Sequence, residues 1–373
     1  MRSSSLKVSG LLLLFIFFFS TYSYAVRYYV NYQAAGTGTG ISWVNAFPTL
    51  TAAITKSVDG DEIWVARGSY YPGDARTNYF LLKSGVRIYG GFSGTESSLT
   101  ERIAAANGLY TVNETILDGR NNSYHVVHSP VANTFLDGFS LQGGATLDVV
   151  ANSANNVGAG LYAINSGTFQ NLWIKSNTAG GAGAGVYNSG TGTFKNLVIE
   201  SNVLNKAGMG TGIYNSGAAS FQQITILNNG GASTGGGIHN IGLAIFQQIT
   251  ITNNNASTNG GGIYNTVAAS FQQITLNNNN AVTSGGGMYN TGTNPQFTDI
   301  VFRANNSSVN GGGLFSTVAM NLDRVSFIEN TSVRNGGGFY STGVVNMTNT
   351  VFSRNSLSGV NAAYTGGGMY VSN

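Results

Sequence analysis

Gly235-Gly236-Gly237-Ile238-His239-Asn240, continued by Phe246-Gln247-Gln248-Ile249-Thr250-Ile251-Thr252-Asn253-Asn254, recurs in near copies over residues 158 to 373. Taking the residue after each glycine cluster as an anchor gives Leu161, Val186, Ile213, Ile238, Ile263, Met288, Leu314, Phe339 and Met369, at steps of 25, 27, 25, 25, 25, 26, 25 and 30 residues. Eight residues past the anchor stands Phe169, Phe194, Phe221, Phe246 or Phe271, then Phe297 one place late, then Leu322 and Met347. Apolar residues return at eleven (Leu172 to Val325, with Thr350 as a polar exception) and at thirteen (Ile174 to Phe352), and an asparagine closes every unit at sixteen, from Asn177 to Asn355. A register kept over eight units at such a period is the mark of a stacked solenoid.

The spacing inside a unit selects the kind of solenoid. Ile224-Thr225-Ile226 has the period-2 alternation of a strand with one buried face. Glycine clusters and Asn-Asn pairs would break a helix in every unit, which argues against ankyrin-type and other helical repeats. A gap of three between positions eight and eleven puts the two on opposite faces of a straight strand, so a sharp bend at Gln222-Gln223 is expected to keep both inside. The resulting expectation is an all-β chain, a right-handed parallel β-helix solenoid of about 25 residues per coil. Its coils stack at roughly 4.8 Å. Stacking also accounts for the polar positions. Asparagines at one corner of successive coils can pass amide hydrogen bonds along the stack. Tyr162, Tyr187, Tyr214, Tyr264, Tyr289, Phe315, Tyr340 and Tyr370 form a second column in which His239 is one member.

Ahead of the repeats, Arg2 and Lys7 precede an apolar run from Leu11 to Phe19 and then Ser23-Tyr24-Ala25, the pattern of a secretory signal peptide over 1–25 cleaved after Ala25. The apolar core is too short to cross a bilayer as a helix, and no later segment is apolar enough to do so. Cys is absent, which removes disulfides, thiolate metal sites and a lipoprotein anchor. Without Arg2 and Lys7 the chain carries 15 basic and 14 acidic residues. That balance gives nucleic-acid or acidic-membrane binding no electrostatic support. Residues 26–75 read as an N-terminal cap, with strands at Arg27–Asn31 and Glu62–Ala66 and a short helix at Phe47–Lys56 that would cover the end of the core. Residues 76–157 read as irregular early coils, with a loop around Ser93 to Asn113, and 158–373 as the regular repeats. The ninth unit stops five residues after Gly368, from which a truncated longer protein is expected.

Two features carry a resemblance. Gly-Gly-Gly-apolar followed by Phe302-Arg303-Ala304-Asn305, Phe327-Ile328-Glu329-Asn330 and Phe352-Ser353-Arg354-Asn355 resembles the repeats of chlamydial polymorphic outer membrane proteins. Tyr28-Tyr29-Val30-Asn31, Ser42-Trp43-Val44-Asn45-Ala46-Phe47 and Gly60-Asp61-Glu62-Ile63-Trp64-Val65-Ala66 resemble secreted β-helix proteins of environmental Gram-negative bacteria, within the pectin-lyase-like superfamily. The resemblance implies a secreted or outer-membrane surface passenger, adhesin-like, meeting glycans or a host or neighbouring-cell surface, with no cofactor. The C-terminal barrel or sorting signal of such proteins has no counterpart in this sequence.

The search for chemistry gives no assigned catalytic, cofactor or metal residue. β-Helix enzymes acting on acidic polysaccharides need several ionisable groups on neighbouring coils. From Ala207 to Gln296 there is no Asp, Glu, Lys or Arg. Lys175 and Glu200, Asp299 and Arg324, and Glu329 and Arg354 share repeat positions one coil apart, which reads as ion-pair ladders on a solvated face, leaving Arg303, Asp323 and Arg334 unpaired. The alternative function, a polysaccharide lyase or glycoside hydrolase, would need the residues gathered in 77–157: Asp118, Arg120, His125, His128 and Asp137. The glycines of Gly180-Gly181-Ala182-Gly183-Ala184-Gly185 are followed neither by the Asp of a Ca²⁺-binding nonapeptide nor by the strand-to-helix turn of a phosphate loop.

Overall fold

The computed structural model describes residues 25–146 and 153–372; the export segment expected over 1–25 lies outside the described residues apart from Ala25. The chain winds into a parallel β-helix of about 25 residues per turn. A 16-stranded sheet runs through twelve successive strands from Arg27–Val30 to Val345–Thr348. An 11-stranded sheet runs from Phe80–Leu81 to Met369–Val371, and an 8-stranded sheet from Thr178–Ala179 to Ser356–Leu357. Coils pair in parallel and in the expected register, Phe221 with Phe246 and Phe271, and Ile224 with Ile249 and Ile274. The inward rows form one continuous core, its phenylalanines stacked at 4.8–5.4 Å from Phe169 to Phe297. The third side of the coil is lined by small residues, Ala179, Ala232, Ala256 and Ala281, then Ser307 and Ser332, all buried.

The bend inside each unit is made by one residue rather than two. Ala219–Leu227 is a continuous strand in which Gln222 stays paired with Gln247, while Gln223 takes φ +58°. Its counterparts Asn171, Asn196, Gln248, Gln273, Asp299, Arg324 and Asn349 do the same. One left-handed residue in a strand resets the alternation of side chains, so Phe221 and Ile224 both point inward. For a residue other than glycine this conformation is strained, by about 1–2 kcal/mol. The core it brings together offsets that cost.

A second left-handed residue precedes the corner asparagine in every regular coil, as Asn253 does at φ +57° before Asn254. The asparagine column is buried and bonded as expected. Asn254 Oδ1 accepts from the Asn229 backbone N–H and from Asn229 Nδ2, both at 3.0 Å. Its own Nδ2 is shared among Ile226 O, Thr252 O and Asn279 Oδ1 at 2.9–3.2 Å. Buried backbone groups at the corner are thus satisfied by a side chain from the next coil. Two glycines of each cluster are needed for different reasons. Gly235 has φ +64°, and a Cβ on Gly237 would lie 2.7 Å from Gly262 O of the next coil.

The segment before the repeats contributes coils as well as a cover. Arg27–Val30 and Glu62–Ala66 are the first two strands of the 16-stranded sheet. Leu50–Lys56 is helical, with Thr49 Oγ1 accepting from Ala52 N, and it buries Leu50, Ala53 and Ile54 against the core beside Tyr28, Val30 and Ile63. Glu62–Ala66 is not the half-exposed strand its alternation suggests, because Trp64 on its outer face is fully buried. Phe92 stacks on Trp64 at 4.6 Å, and Tyr29, Trp43 and Leu99 pack around the pair.

The charged rows need two corrections. Asp299 pairs with Arg324 at 2.5 Å and Glu329 with Arg354 at 2.6 Å, as their register requires. Lys175 and Glu200 share a register but do not form the expected pair: Lys175 reaches Glu114 at 3.1 Å and Glu200 accepts from Trp173 Nε1 at 3.2 Å. Arg303 and Asp323 are not left over, since Arg303 meets Glu329 at 3.4 Å and Asp323 bonds to Arg324. Long side chains reach diagonally across coils, which a count along single rows misses.

Truncating Phe327, which is fully buried between Phe302 and Phe352, is expected to cost about 3–5 kcal/mol of unfolding free energy in a urea titration. Glu329→Ala should cost less than ~1 kcal/mol. Asn254→Ala strips acceptors from two buried donors of Asn229 and should exceed about 3 kcal/mol by the same measurement, despite removing no apolar surface.

Candidate functional site

The five ionisable residues of the early coils face three ways. Val127–Ser129 pairs with Leu161–Ala163, which puts His128 in register with Tyr162 at the foot of the tyrosine column. His125 is buried and stacks on Tyr162 at 4.6 Å and 14° between planes, and its Nδ1 bonds to Gly158 O at 3.0 Å. Burial pulls its pKa down to about 4. His128 sits edge-on to Tyr79 at 5.0 Å with both ring nitrogens buried and unpartnered, and burial lowers its pKa too. Both are therefore neutral aromatic members of a stack at neutral pH.

Asp118 and Asp137 belong to other rows. Asp118 is in register with Gln142, and Leu141 with Ile174, which places Asp118 in the row of Lys175. Its carboxylate accepts from Arg120 N at 2.7 Å and Gln142 Nε2 at 3.0 Å. Arg120 lies 3.6 Å over Tyr71 and meets Asp74 at 3.5 Å. Asp137 is in register with Gln170 and is buried under Arg102 Nη2 at 3.0 Å and Asn171 Nδ2 at 2.7 Å. The expected gathering is thus divided among the tyrosine sheet and two rows of the long sheet.

A different charged cluster does form, and it escaped the sequence reading because its members follow no period. On the outer face of the long sheet, Glu114 Oε1 accepts from Ser140 Oγ at 2.6 Å and from Lys175 Nζ at 3.1 Å. Lys175 Nζ lies 3.3 Å from the centre of the Trp173 ring, whose Nε1–H goes to Glu200, and Arg102 with Asp137 lies alongside. Each carboxylate already holds donors, so the arrangement ties the loop at Ser93 to Asn113 to the coils. Among the described residues, no group of three or more His, Asp or Glu side chains is placed to hold a metal ion.

The most regular surface feature is the ring column. From Tyr187 to Tyr370 successive rings, His239 and Phe315 included, stack at 4.7–5.4 Å with planes within 15°. Rings stacked along the solenoid axis present their edges outward. No tyrosine hydroxyl of the column is hydrogen-bonded to a described residue. Four of the rows from Ile213 to Met288 lie in the stretch without any Asp, Glu, Lys or Arg.

His239 shows what the column costs at acid pH. It is buried between Tyr214 and Tyr264, bonds to Thr234 Oγ1 at 2.9 Å, and burial holds its pKa at about 4. An unfolded histidine takes up its proton near pH 6.5, so stability is whole above that value and declines as pH falls toward 4, by up to about 3 kcal/mol for such a residue. His239→Tyr, which restores the ring found in neighbouring coils, is expected to remove that part of the loss, measured as urea midpoints at pH 7.5 and pH 4.5.

No protein-family model matches the chain, and no curated protein matches it. Among solved structures, the crystal structure of pectate lyase Pel9A is similar with a TM-score of 0.50 and 15% sequence identity, the match covering 88% of this chain and 79% of that one. At this identity the likeness speaks for the fold. Coil by coil, the chain has the parallel β-helix of the pectin-lyase-like superfamily.

Proposed function

We propose that the protein is a secreted, adhesin-like β-helix module that lays its tyrosine face along an extended polysaccharide of a host or neighbouring-cell surface and does not cleave it. The observation that carries this reading is the column of unpartnered phenol hydroxyls, repeated coil after coil at ring separations of 4.7–5.4 Å over an uncharged stretch. A periodic row of donors and acceptors matches a polymer whose own hydroxyls recur at a regular interval. Each such hydrogen bond is worth only about 0.5–1.5 kcal/mol, so affinity grows with the number of coils engaged. Export follows from the segment ending at Ala25, and no helix among the described residues is long and apolar enough to cross a membrane.

The alternative, a lyase or hydrolase working from residues 77–157, needs an acid and a base within reach of one bond. Asp118, His125 and Asp137 occupy separate rows with their bonding capacity engaged. The two readings part in one assay. The chain from residue 26 is incubated with cellulose, xylan, alginate and polygalacturonate, with and without Ca²⁺, scoring retention on the polymer and release of new chain ends. Retention without chain ends is expected. The double variant Tyr264→Phe/Tyr289→Phe keeps the stack, as Phe315 does naturally, and should weaken retention about 4- to 100-fold. Chain-end release abolished by His125→Ala would overturn the proposal.

A further inference from the structure

The repeat is broken once in its regular part, and four irregularities fall at that place. The step from Val186 to Ile213 is 27 residues, and strand Val203–Met209 is lengthened and bulged against its partner Gly230–Thr234. The glycine cluster beginning Gly180-Gly181 stands opposite. Tyr162 and Tyr187 are tilted by 49°, whereas every later pair in the column lies within 15°. Between these elements opens a cleft of about 550 Å³ lined by Tyr162, Tyr187 and Tyr214, with Ser153, Asn156 and Lys206 among its walls.

The polar groups of this cleft are uncommitted. Asn156 is 3% exposed, yet its side-chain amide makes no hydrogen bond within the protein, and Ser153 Oγ has no partner either. Leaving a buried amide unbonded costs about 1–3 kcal/mol, so its retention in a wall needs a reason. The glycines keep the amide in place, since a Cβ on Gly180 would come within 2.1 Å of Asn156 Oδ1. Lys206 is exposed and makes no ion pair, and no carboxylate lines the cleft. Tilting Tyr162 away from Tyr187 uncovers ring surface that the rest of the column hides.

We propose that this cleft is a saccharide-binding subsite, in which the tilted tyrosines face the apolar C–H surface of a pyranose ring while Asn156, Ser153 and the Lys206 ammonium bond its hydroxyls. A cleft of mainly apolar lining with a few convergent polar groups is the usual form of a small-ligand site. The proposal rests on the polysaccharide reading of the column and deepens it by naming where a single sugar unit is held. Lys206 further favours a sugar bearing a carboxylate, which the choice of probe resolves.

Isothermal titration calorimetry of the chain from residue 26 with cellotetraose, xylotetraose and tetragalacturonate tests it, against the variants Lys206→Ala, Asn156→Ala and, outside the cleft, Tyr264→Phe. Binding of at least one tetrasaccharide is expected, weakened about tenfold or more by Lys206→Ala and by Asn156→Ala and unchanged by Tyr264→Phe. Lys206 is a surface side chain, so its variant should keep the parent's thermal transition. Tetragalacturonate preferred by the parent but not by Lys206→Ala assigns the carboxylate to that ammonium; equal affinities for all three assign the site to the ring alone. Binding unaffected by both cleft variants, or no tetrasaccharide binding while polymers are still retained, overturns the subsite and leaves the column reading standing. Loss of both overturns the two together.

Discussion

Each coil must turn three corners with its backbone buried between the coils before and after it, and the corner asparagine is what makes that possible. Asn254 receives the backbone N–H and amide of Asn229, and serves carbonyls of its own and the preceding coil before passing to Asn279. The same exchange runs from Asn177 to Asn355. A slip of one residue would turn every inward side chain outward. The repeat length is therefore rigid where strands stack, and extra residues are admitted only where no ladder is crossed. The 26-residue coil takes its extra residue in the turn holding Asn294, at φ +47°, and the 27-residue coil places its two in the strand that walls the cleft.

A second asparagine ladder runs from Asn188 to Asn290, two residues past each anchor, each amide donating to the next at 2.7–2.8 Å. It begins abruptly because Ala163 occupies the place below Asn188, which leaves Asn188 Oδ1 buried and unpartnered. It ends at Ser316 and Ser341, whose hydroxyls turn back to Val318 O and Gly343 O. Ladders confer stiffness along the axis and leave side chains on the outer rows free to differ. That division is what lets a uniform solenoid carry a binding face.

Charge is used differently at the two ends of the array. In the early coils it anchors chain that does not repeat: Arg102 and Asp137, and Glu114 and Lys175, join the loop at Ser93 to Asn113 to the long sheet, next to Trp64 and Phe92. In the late coils it forms exposed pairs such as Glu329 with Arg354 that contribute little to stability. Between them the faces are neutral, and hydroxyls and amides do the recognising. Such a surface suits an uncharged or weakly charged polymer better than nucleic acid, in agreement with the near balance of 15 basic and 14 acidic residues in the exported chain.

The coil length, the inward rows, the corner asparagine and the tyrosine column were all legible in the sequence, because each is a contact between residues about 25 apart, and nearest-neighbour contacts in a stack leave a period. The histidines were legible as residues but not as ring partners of Tyr162, since His125 has no counterpart in the repeat. Nothing in the spacing placed Glu114 on Lys175, buried both faces of Glu62–Ala66, or drew Asn156 to the glycines at 180 and 181. Those contacts join a non-repeating segment to a coil, and their geometry exists only once the chain has folded back on itself. The sequence by itself therefore determined the solenoid and its register, whereas the tertiary structure decided which faces are covered and where a cleft opens, because a periodic contact is written in every unit and a single crossing is written in none.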